Sequence, residues 1–241
     1  MCLLLGVSLL LVVMRPLMSI SNAAFTSVFQ GGIRFNTYIG LALAASLYGS
    51  QGLVVAVIIA AIMIPVINIF CVAVLEYFGQ QGGSLSLYRL CLAIITNPLI
   101  VACVIGMGIN VLGLSLPQVL TDTLTIFSSA ALPLGLLTVG AALSFDNLTA
   151  SVKPFLLSSI CKFLLLPLVA LFFSGVFDLA ADTQTILIMM CVLPTATASY
   201  VLAKQLGGDA QLMASLITAQ TLVAIIVIPV ILALVGRYGH L

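Results

Sequence analysis

Arg34 is the only charged residue in an otherwise apolar segment, 23–48. A charged side chain at bilayer depth costs about 3 kcal/mol on insertion scales, and it usually faces a cavity or a partner. In a site shielded from water, an arginine can anchor a carboxylate through charge-assisted hydrogen bonds. In the alternative, Arg34 caps carbonyls freed by a helix break or extends to the cytoplasmic boundary of the membrane. Arg34 is therefore the first candidate for substrate binding.

Two short polar side chains follow this arginine. Asn36 and Thr37 could bind a substrate through an amide and a hydroxyl. They could equally satisfy backbone groups that a break in the helix exposes within the membrane. The surrounding segment 29–40 is too rich in glycine and amide side chains for an ordinary lipid-facing helix. We therefore expect an interrupted helix here.

A second polar interruption occurs late in the chain, at Pro194, Thr195 and Thr197. Pro194 removes a helical hydrogen bond and exposes backbone groups at mid-depth. In one interpretation the helix that follows Pro194 points its partially positive end at an anion. In the other, Pro194 is a tolerated kink and the hydroxyls bond back one turn. The first interpretation makes all three residues candidates for the substrate site.

Two further ionisable residues lie near membrane depth. Lys162 could neutralise an anion or couple to Asp122, or its ammonium could extend to the cytoplasmic surface. Asp122 is a candidate for proton coupling, and the alternative is a carboxylate at a helix start. Because the positive groups near mid-depth outnumber the one acid, the pattern favours an anionic substrate.

The composition places these residues in a membrane. The chain has 241 residues, of which 63% are hydrophobic and 5% charged, and its mean hydropathy is +1.37. Soluble domains carry about 25% charged residues. The apolar runs are some twenty residues long and do not alternate in polarity, so they predict helices rather than the strands of a barrel. We expect an all-α polytopic protein whose partner is the lipid bilayer and not a nucleic acid, since the net charge is only +1.

Motifs for enzyme chemistry are missing from the sequence. It has no metalloprotease helix motif, phosphate-binding loop or nucleophile elbow, and none of its six cysteines forms a Cys-x-x-Cys pair. The single histidine, His240, is the second-last residue. We therefore predict no enzymatic activity, no cofactor and no metal site.

Eight apolar runs could cross a membrane. They cover approximately residues 1–20, 24–48, 53–75, 90–114, 119–144, 155–177, 184–204 and 211–235. Lysine and arginine concentrate on the cytoplasmic side of membrane proteins. Arg15, Arg89, Lys153 and Lys204 flank the loops of one side, and Arg237 alone lies on the other. This pattern predicts a multi-pass protein of the cell (inner) membrane with both chain ends on the outer, periplasmic side.

The two polar interruptions belong to an internal repeat. Each is followed by a glycine turn, at Gly49 or Gly207, and then by an apolar helix containing the sequence Ile-Pro-Val-Ile. The matching spans are five apart, so the two units have opposite orientations, as in secondary transporters with inverted repeats. We expect residues 1–75 to be the last three helices of one unit, 76–89 a cytoplasmic linker, and 90–241 a complete second unit of five helices.

The chain resembles the auxin efflux carrier family, which includes the PIN-type carriers of plants and bacterial permeases for malonate or malate. The segments that carry the resemblance are Arg34-Phe-Asn-Thr-Tyr-Ile-Gly40, Asn97-Pro98 with Gly106 and Gly108, Leu132-Pro133 through Gly140, Lys162 with Pro167, and Leu193-Pro-Thr-Ala with Gly207-Gly-Asp209. The resemblance implies ten helices in two inverted units of five, with the fourth and ninth helices broken and crossing. It also implies that two helices are absent from the start of this chain. From the resemblance we expect a member of the bacterial permease branch, with dicarboxylates as substrates.

These observations together predict a secondary transporter of small organic anions, such as mono- or dicarboxylates, that works by alternating access. The predicted substrate-binding residues are Arg34, Asn36, Thr37, Lys162, Pro194, Thr195 and Thr197, with Asp122 for coupling. A homodimer is a further expectation. The alternative is a membrane fragment or structural subunit that does not transport and depends on a partner.

Overall fold

The computed structural model describes residues 2–79, 98–141 and 152–238, together with 88, 91, 92 and 95. Within these ranges every regular element is helical, which confirms an all-α membrane protein. Arg89, Asn97, His240 and most of the predicted linker 76–89 lie outside the described residues.

The ranges 2–79, 98–141 and 152–238 contain nine α-helices, besides the short 3-10 helix Arg15–Leu17. They are α1 (Cys2–Met14), α2 (Asn22–Ile33), α3 (Thr37–Phe78), α4 (Pro98–Val111), α5 (Gln118–Ala141), α6 (Val152–Val176), α7 (Ala181–Cys191), α8 (Ala198–Gln205) and α9 (Ala210–Tyr238). Helix α6 contains a π-helical stretch, Cys161–Leu165. Each of the eight predicted spans overlaps one or more of these helices.

Four helical stretches of the described chain are long and apolar enough to cross a membrane. They are Asn22–Phe78, which contains both α2 and α3, and Gln118–Thr138, Val152–Val176 and Ala210–Val235. A shorter apolar helix covers Cys2–Leu17. The exposed surface of α4 and α5 is rich in large apolar side chains such as Ile105, Ile126 and Phe127. Such a surface is suited to contact with lipid rather than with water.

The two predicted glycine turns are present. Gly49 has φ +62° and ψ −155°, so α3 changes direction there into the arms 37–48 and 50–78. Gly207 has φ +71° and follows the end of α8. Because a positive φ of this kind is strained for residues with a Cβ, glycine is the residue that allows both turns.

Both predicted helix interruptions are present as well. The first separates α2 from α3, where Arg34 and Asn36 have extended backbones with ψ of 145° and 100°. The second separates α7, which ends at Cys191, from α8, which begins at Ala198. The breaks meet, since the backbone N–H of Asn36 donates to the carbonyl of Pro194 at 2.8 Å. The inverted relation of the two units stays a prediction.

Helix α2 lies at the centre of the bundle. All residues from Ala24 to Ile33 are buried, and α2 contacts α1, α3, α6, α8 and α9. Two glycines allow α6 to approach closely. A Cβ at Gly31 would lie 3.1 Å from the Cβ of Ser158, and one at Gly32 would lie 3.0 Å from the Sγ of Cys161. This close contact brings the polar side chains of α6 to the first break.

We predict that Gly32→Val lowers stability, because its side chain must displace Cys161; overpacking of this kind costs about 1–3 kcal/mol. The measurement is thermal unfolding of the detergent-solubilised protein. Removing the obstructing sulfur with Cys161→Ala should recover part of the loss. Gly6→Val is the matched control, since nothing lies within 4 Å of a Cβ at Gly6. An equal loss for both valine variants would contradict the packing argument.

Candidate functional site

The first break begins where α2 ends at Ile33 and the chain becomes extended. Asn36 then starts α3, because its side-chain Oδ1 accepts hydrogen bonds from the backbone N–H groups of Tyr38 (3.1 Å) and Ile39 (3.3 Å). This is a helix N-cap, which satisfies donors that would otherwise be unpaired. The Asn36 backbone N–H also donates to the carbonyl of Pro194. Asn36 is only 2% exposed, and these interactions correspond to the backbone-satisfying role that the sequence left open.

The C-terminal end of α2 has carbonyl groups without helical donors, as all helix ends do. Gln220 Nε2 donates to the carbonyl of Gly31 at 3.2 Å, and Thr195 Oγ1 lies 2.9 Å from the same carbonyl. The carbonyl of Arg34 accepts from Lys162 Nζ at 2.6 Å. The groups that pair these carbonyls come from the second break, α9 and α6. The end of α2 is therefore held by three other parts of the chain.

Gln220 joins these parts in a cluster that is fully buried. Its Oε1 accepts from the backbone N–H of Thr195 at 3.2 Å and lies 2.6 Å from Thr195 Oγ1. Its Nε2 lies 3.3 Å from Ser158 Oγ, besides donating to Gly31. Gln220, Thr195 and Ser158 are each 0% exposed. Sequence reasoning missed Gln220, although an amide in the middle of an apolar helix was a visible signal.

Lys162 is buried and does not reach the surface of the protein. It is 0% exposed, so its ammonium does not extend to the cytoplasmic surface, and its Nζ donates to the Arg34 carbonyl. Asp122 is exposed, lies one turn into α5, and is not among the described residues that line the cavity beside the breaks. Lys162 therefore contacts the first break, and neither Lys162 nor Asp122 is among the described lining residues of the cavity.

A cavity of about 320 Å³ lies beside the meeting point of the two breaks. The described residues that line it are Arg34, Phe35, Asn36, Thr37, Tyr38, Leu41, Ile64, Ile67, Asn68, Ala196, Thr197 and Ala198. Four of the predicted site residues are among them, whereas Pro194, Thr195 and Lys162 are buried outside this lining. Asn68 is a further polar lining residue that sequence reasoning missed.

The cavity is electropositive on its polar side. Arg34 Nε and Nη1 are buried and have no hydrogen-bond partner in the described chain. The first residue of α8 lines the same cavity, and the N-cap residue Thr197 makes no side-chain capping bond. A helix N-terminus carries a partial positive charge. The described lining residues include no aspartate or glutamate that would oppose these groups.

Unpartnered buried polar atoms are uncommon in folded proteins, and each costs about 1–3 kcal/mol. Arg34 lines the cavity, and an acceptor bound beside it would supply the hydrogen bonds that its buried Nε and Nη1 lack within the described chain. A carboxylate offers two acceptor oxygens in a geometry that matches the guanidinium. Thr37 and Asn68 offer neutral hydrogen-bonding groups on the same lining. Chemically, this arrangement can bind a small anion.

Comparison with known protein families places this arrangement in context. Residues 1–232 match the family model described as membrane transport protein. The chain belongs to this family. The match covers nearly the whole chain and confirms the resemblance at the level of the auxin efflux carriers. No curated protein matches the chain.

Membership of the family decides the broad class of activity. The protein is a membrane transporter, and its family is not an enzyme family. Together with the apolar helices, it identifies a multi-pass membrane protein. The cavity between two broken helices is accordingly a candidate transport site rather than a catalytic centre.

We predict that Gln220→Leu lowers the unfolding temperature of the solubilised protein. The substitution leaves the Thr195 N–H without its acceptor and takes a donor from the Gly31 carbonyl, and each buried group left unpaired costs about 1–3 kcal/mol. Gln211→Leu is the control on the same helix, because Gln211 is exposed. The role of Gln220 would be refuted if the two variants unfolded at the same temperature.

Proposed function

We propose that this membrane transporter moves small organic anions, such as mono- or dicarboxylates, by alternating access around its two broken helices. The observation that carries the proposal is Arg34, a lining residue of the cavity whose buried Nε and Nη1 have no hydrogen-bond partner among the described residues. Transporters with discontinuous helices hold their substrates at such breaks near the membrane midplane. The family membership favours a transporter over the alternative of a non-transporting structural subunit.

The size and lining of the cavity restrict the substrate further. About 320 Å³ lies at the lower end of the roughly 300–1,000 Å³ typical of small-molecule sites. Leu41, Ile64 and Ile67 supply an apolar wall for a hydrocarbon body. One carboxylate would bind Arg34 and face the N-terminus of α8, so an anion with a short carbon skeleton fits best.

A dicarboxylate needs a second polar contact in the same space. Asn68, on the second arm of α3, is the candidate for it, because it lines the cavity and is only 8% exposed. Malonate and malate, the substrates suggested by the family resemblance, are therefore suitable test compounds beside a monocarboxylate such as propionate.

The remaining proposals concern the setting of the transporter. We infer a cell (inner) membrane location with Arg15, Lys153 and Lys204 on the cytoplasmic side, because lysine and arginine favour that side. A homodimer in the bilayer is a separate proposal.

Arg34→Gln should abolish uptake of a labelled carboxylate into proteoliposomes while the protein still inserts into the membrane. Loss of a hydrogen bond to a charged group costs about 1.5–3 kcal/mol, which corresponds to a roughly 10- to 100-fold weaker affinity for the anion. Lys204→Gln is the control, since this exposed cation of α8 does not line the cavity. Normal uptake by Arg34→Gln would exclude the anchoring role.

Asn68→Leu should discriminate between the substrate classes. Leucine has a similar volume but no polar group, so we expect a higher KM for malonate or malate and little change for propionate. Uptake of the three compounds by the wild-type and variant proteins in parallel provides the measurement. Equal effects on mono- and dicarboxylates would show that Asn68 does not hold a second carboxylate.

A further inference from the structure

The backbone of Arg34 is held by a buried lysine. Arg34 is the C-cap of α2 and has an extended backbone with φ −75° and ψ 145°, so its carbonyl turns away from the helical hydrogen-bond pattern. Lys162 Nζ donates to this carbonyl at 2.6 Å. A cation at a helix C-terminus also interacts favourably with the partial negative charge of the helix dipole. The residue that Lys162 fixes is itself one of the described residues that line the cavity.

The local structure of α6 brings Lys162 to this position. Ser158 and Cys161 lie against the glycines of α2, and the π-helical stretch Cys161–Leu165 begins immediately after Ile160. A π-helical turn adds a residue to the helical repeat and redirects the following side chains, and such turns are frequent at functional sites. Within α6 this turn begins at the contact with α2, and the Lys162 ammonium is directed at the end of α2.

The burial of Lys162 is unfavourable by itself. A fully buried ammonium carries a desolvation penalty of several kcal/mol that one hydrogen bond only partly offsets. A methionine of similar length would fill the same space without this penalty. Packing alone therefore does not account for a lysine here, whereas a need for a cationic donor at the Arg34 carbonyl does.

We propose that Lys162 is a positioning residue for the transported anion. It fixes the Arg34 carbonyl, and thereby the position of Arg34 beside the cavity, without touching the anion itself. This role rests on the proposed binding of organic anions at Arg34. It differs from the direct contact with substrate that the sequence suggested, because Lys162 is not among the described lining residues.

A double-mutant cycle on carboxylate affinity tests the proposal. The dissociation constant of a labelled carboxylate is measured for the wild-type protein, Lys162→Met, Arg34→Gln and the double variant, with concentrations extending into the millimolar range. Lys162→Met should weaken binding about tenfold, the effect of losing a hydrogen bond to a charged group. In the Arg34→Gln background the same change should weaken binding by less than about twofold, because coupled residues are not additive.

Controls separate positioning from folding and from direct contact. Lys153→Met on the same helix should bind like the wild-type protein, because Lys153 is exposed. Lys162→Arg, which keeps a cationic donor, should recover part of the affinity lost in Lys162→Met. The proposal is overturned if Lys162→Met binds normally, or if it weakens binding equally in both backgrounds, as a direct contact or a general folding defect would.

A measurement on the unmodified sequence covers the case in which Lys162→Met does not fold. The chain contains three lysines, Lys153, Lys162 and Lys204, so ¹⁵N-lysine labelling gives few side-chain signals. Saturating carboxylate should shift the Nζ resonance of Lys162 and leave those of Lys153 and Lys204 unchanged. An unshifted Lys162 resonance with bound anion overturns the positioning role, whereas a wild-type protein that binds no carboxylate refutes the proposed function instead.

Discussion

The structure depends on pairing the backbone groups that two broken helices release inside a membrane. No water is available there, so every exposed N–H and C=O must find a partner within the protein. The two breaks solve part of this problem together, since the N–H of Asn36 donates to the carbonyl of Pro194. Side chains from α6 and α9 supply the rest, with Lys162 on the Arg34 carbonyl and Gln220 on that of Gly31. The packing of α6 follows from this requirement, because Ser158 and Cys161 reach α2 only where Gly31 and Gly32 leave space.

The same requirement divides the polar residues into two groups. Asn36, Thr195 and Gln220 are occupied by backbone partners and hold the breaks in place. Arg34 has two guanidinium nitrogens without a partner in the described part of the chain, and it lines the cavity with Asn68. A residue type alone does not reveal to which group a residue belongs. Threonine illustrates this, since Thr195 is buried against Gln220 while Thr197 lines the cavity two positions later.

Local signals in the sequence predicted much of the fold. The helix breaks follow from Pro194 and from the glycine- and amide-rich segment around Arg34, and the turns follow from Gly49 and Gly207. The partners of these breaks could not be predicted in the same way. Lys162 meets a carbonyl 128 residues away, and Gln220 meets one 189 residues away. Their positions depend on which helices pack together. An uncharged amide such as Gln220 or Asn68 also stands out less from an apolar helix than an arginine does.

Arg34 takes part in the first break through its backbone and also lines the cavity. Its backbone N–H donates to the Gln30 carbonyl and ends α2, its carbonyl accepts from α6, and the residue lines the cavity. Hydrogen bonds between side chains and freed backbone groups can change partners by rotation about side-chain bonds, whereas a bond within an intact helix changes only if the helix unwinds. At a break whose backbone groups are paired by side chains, helix packing can therefore rearrange without exposing unpaired groups to lipid. In the proposed function, an anion at Arg34 would bind to a residue that also joins α2 to α6, so binding and packing would be coupled through one residue. Such coupling is what alternating access requires of a substrate site, since a ligand shifts a conformational equilibrium only if it interacts differently with the two states.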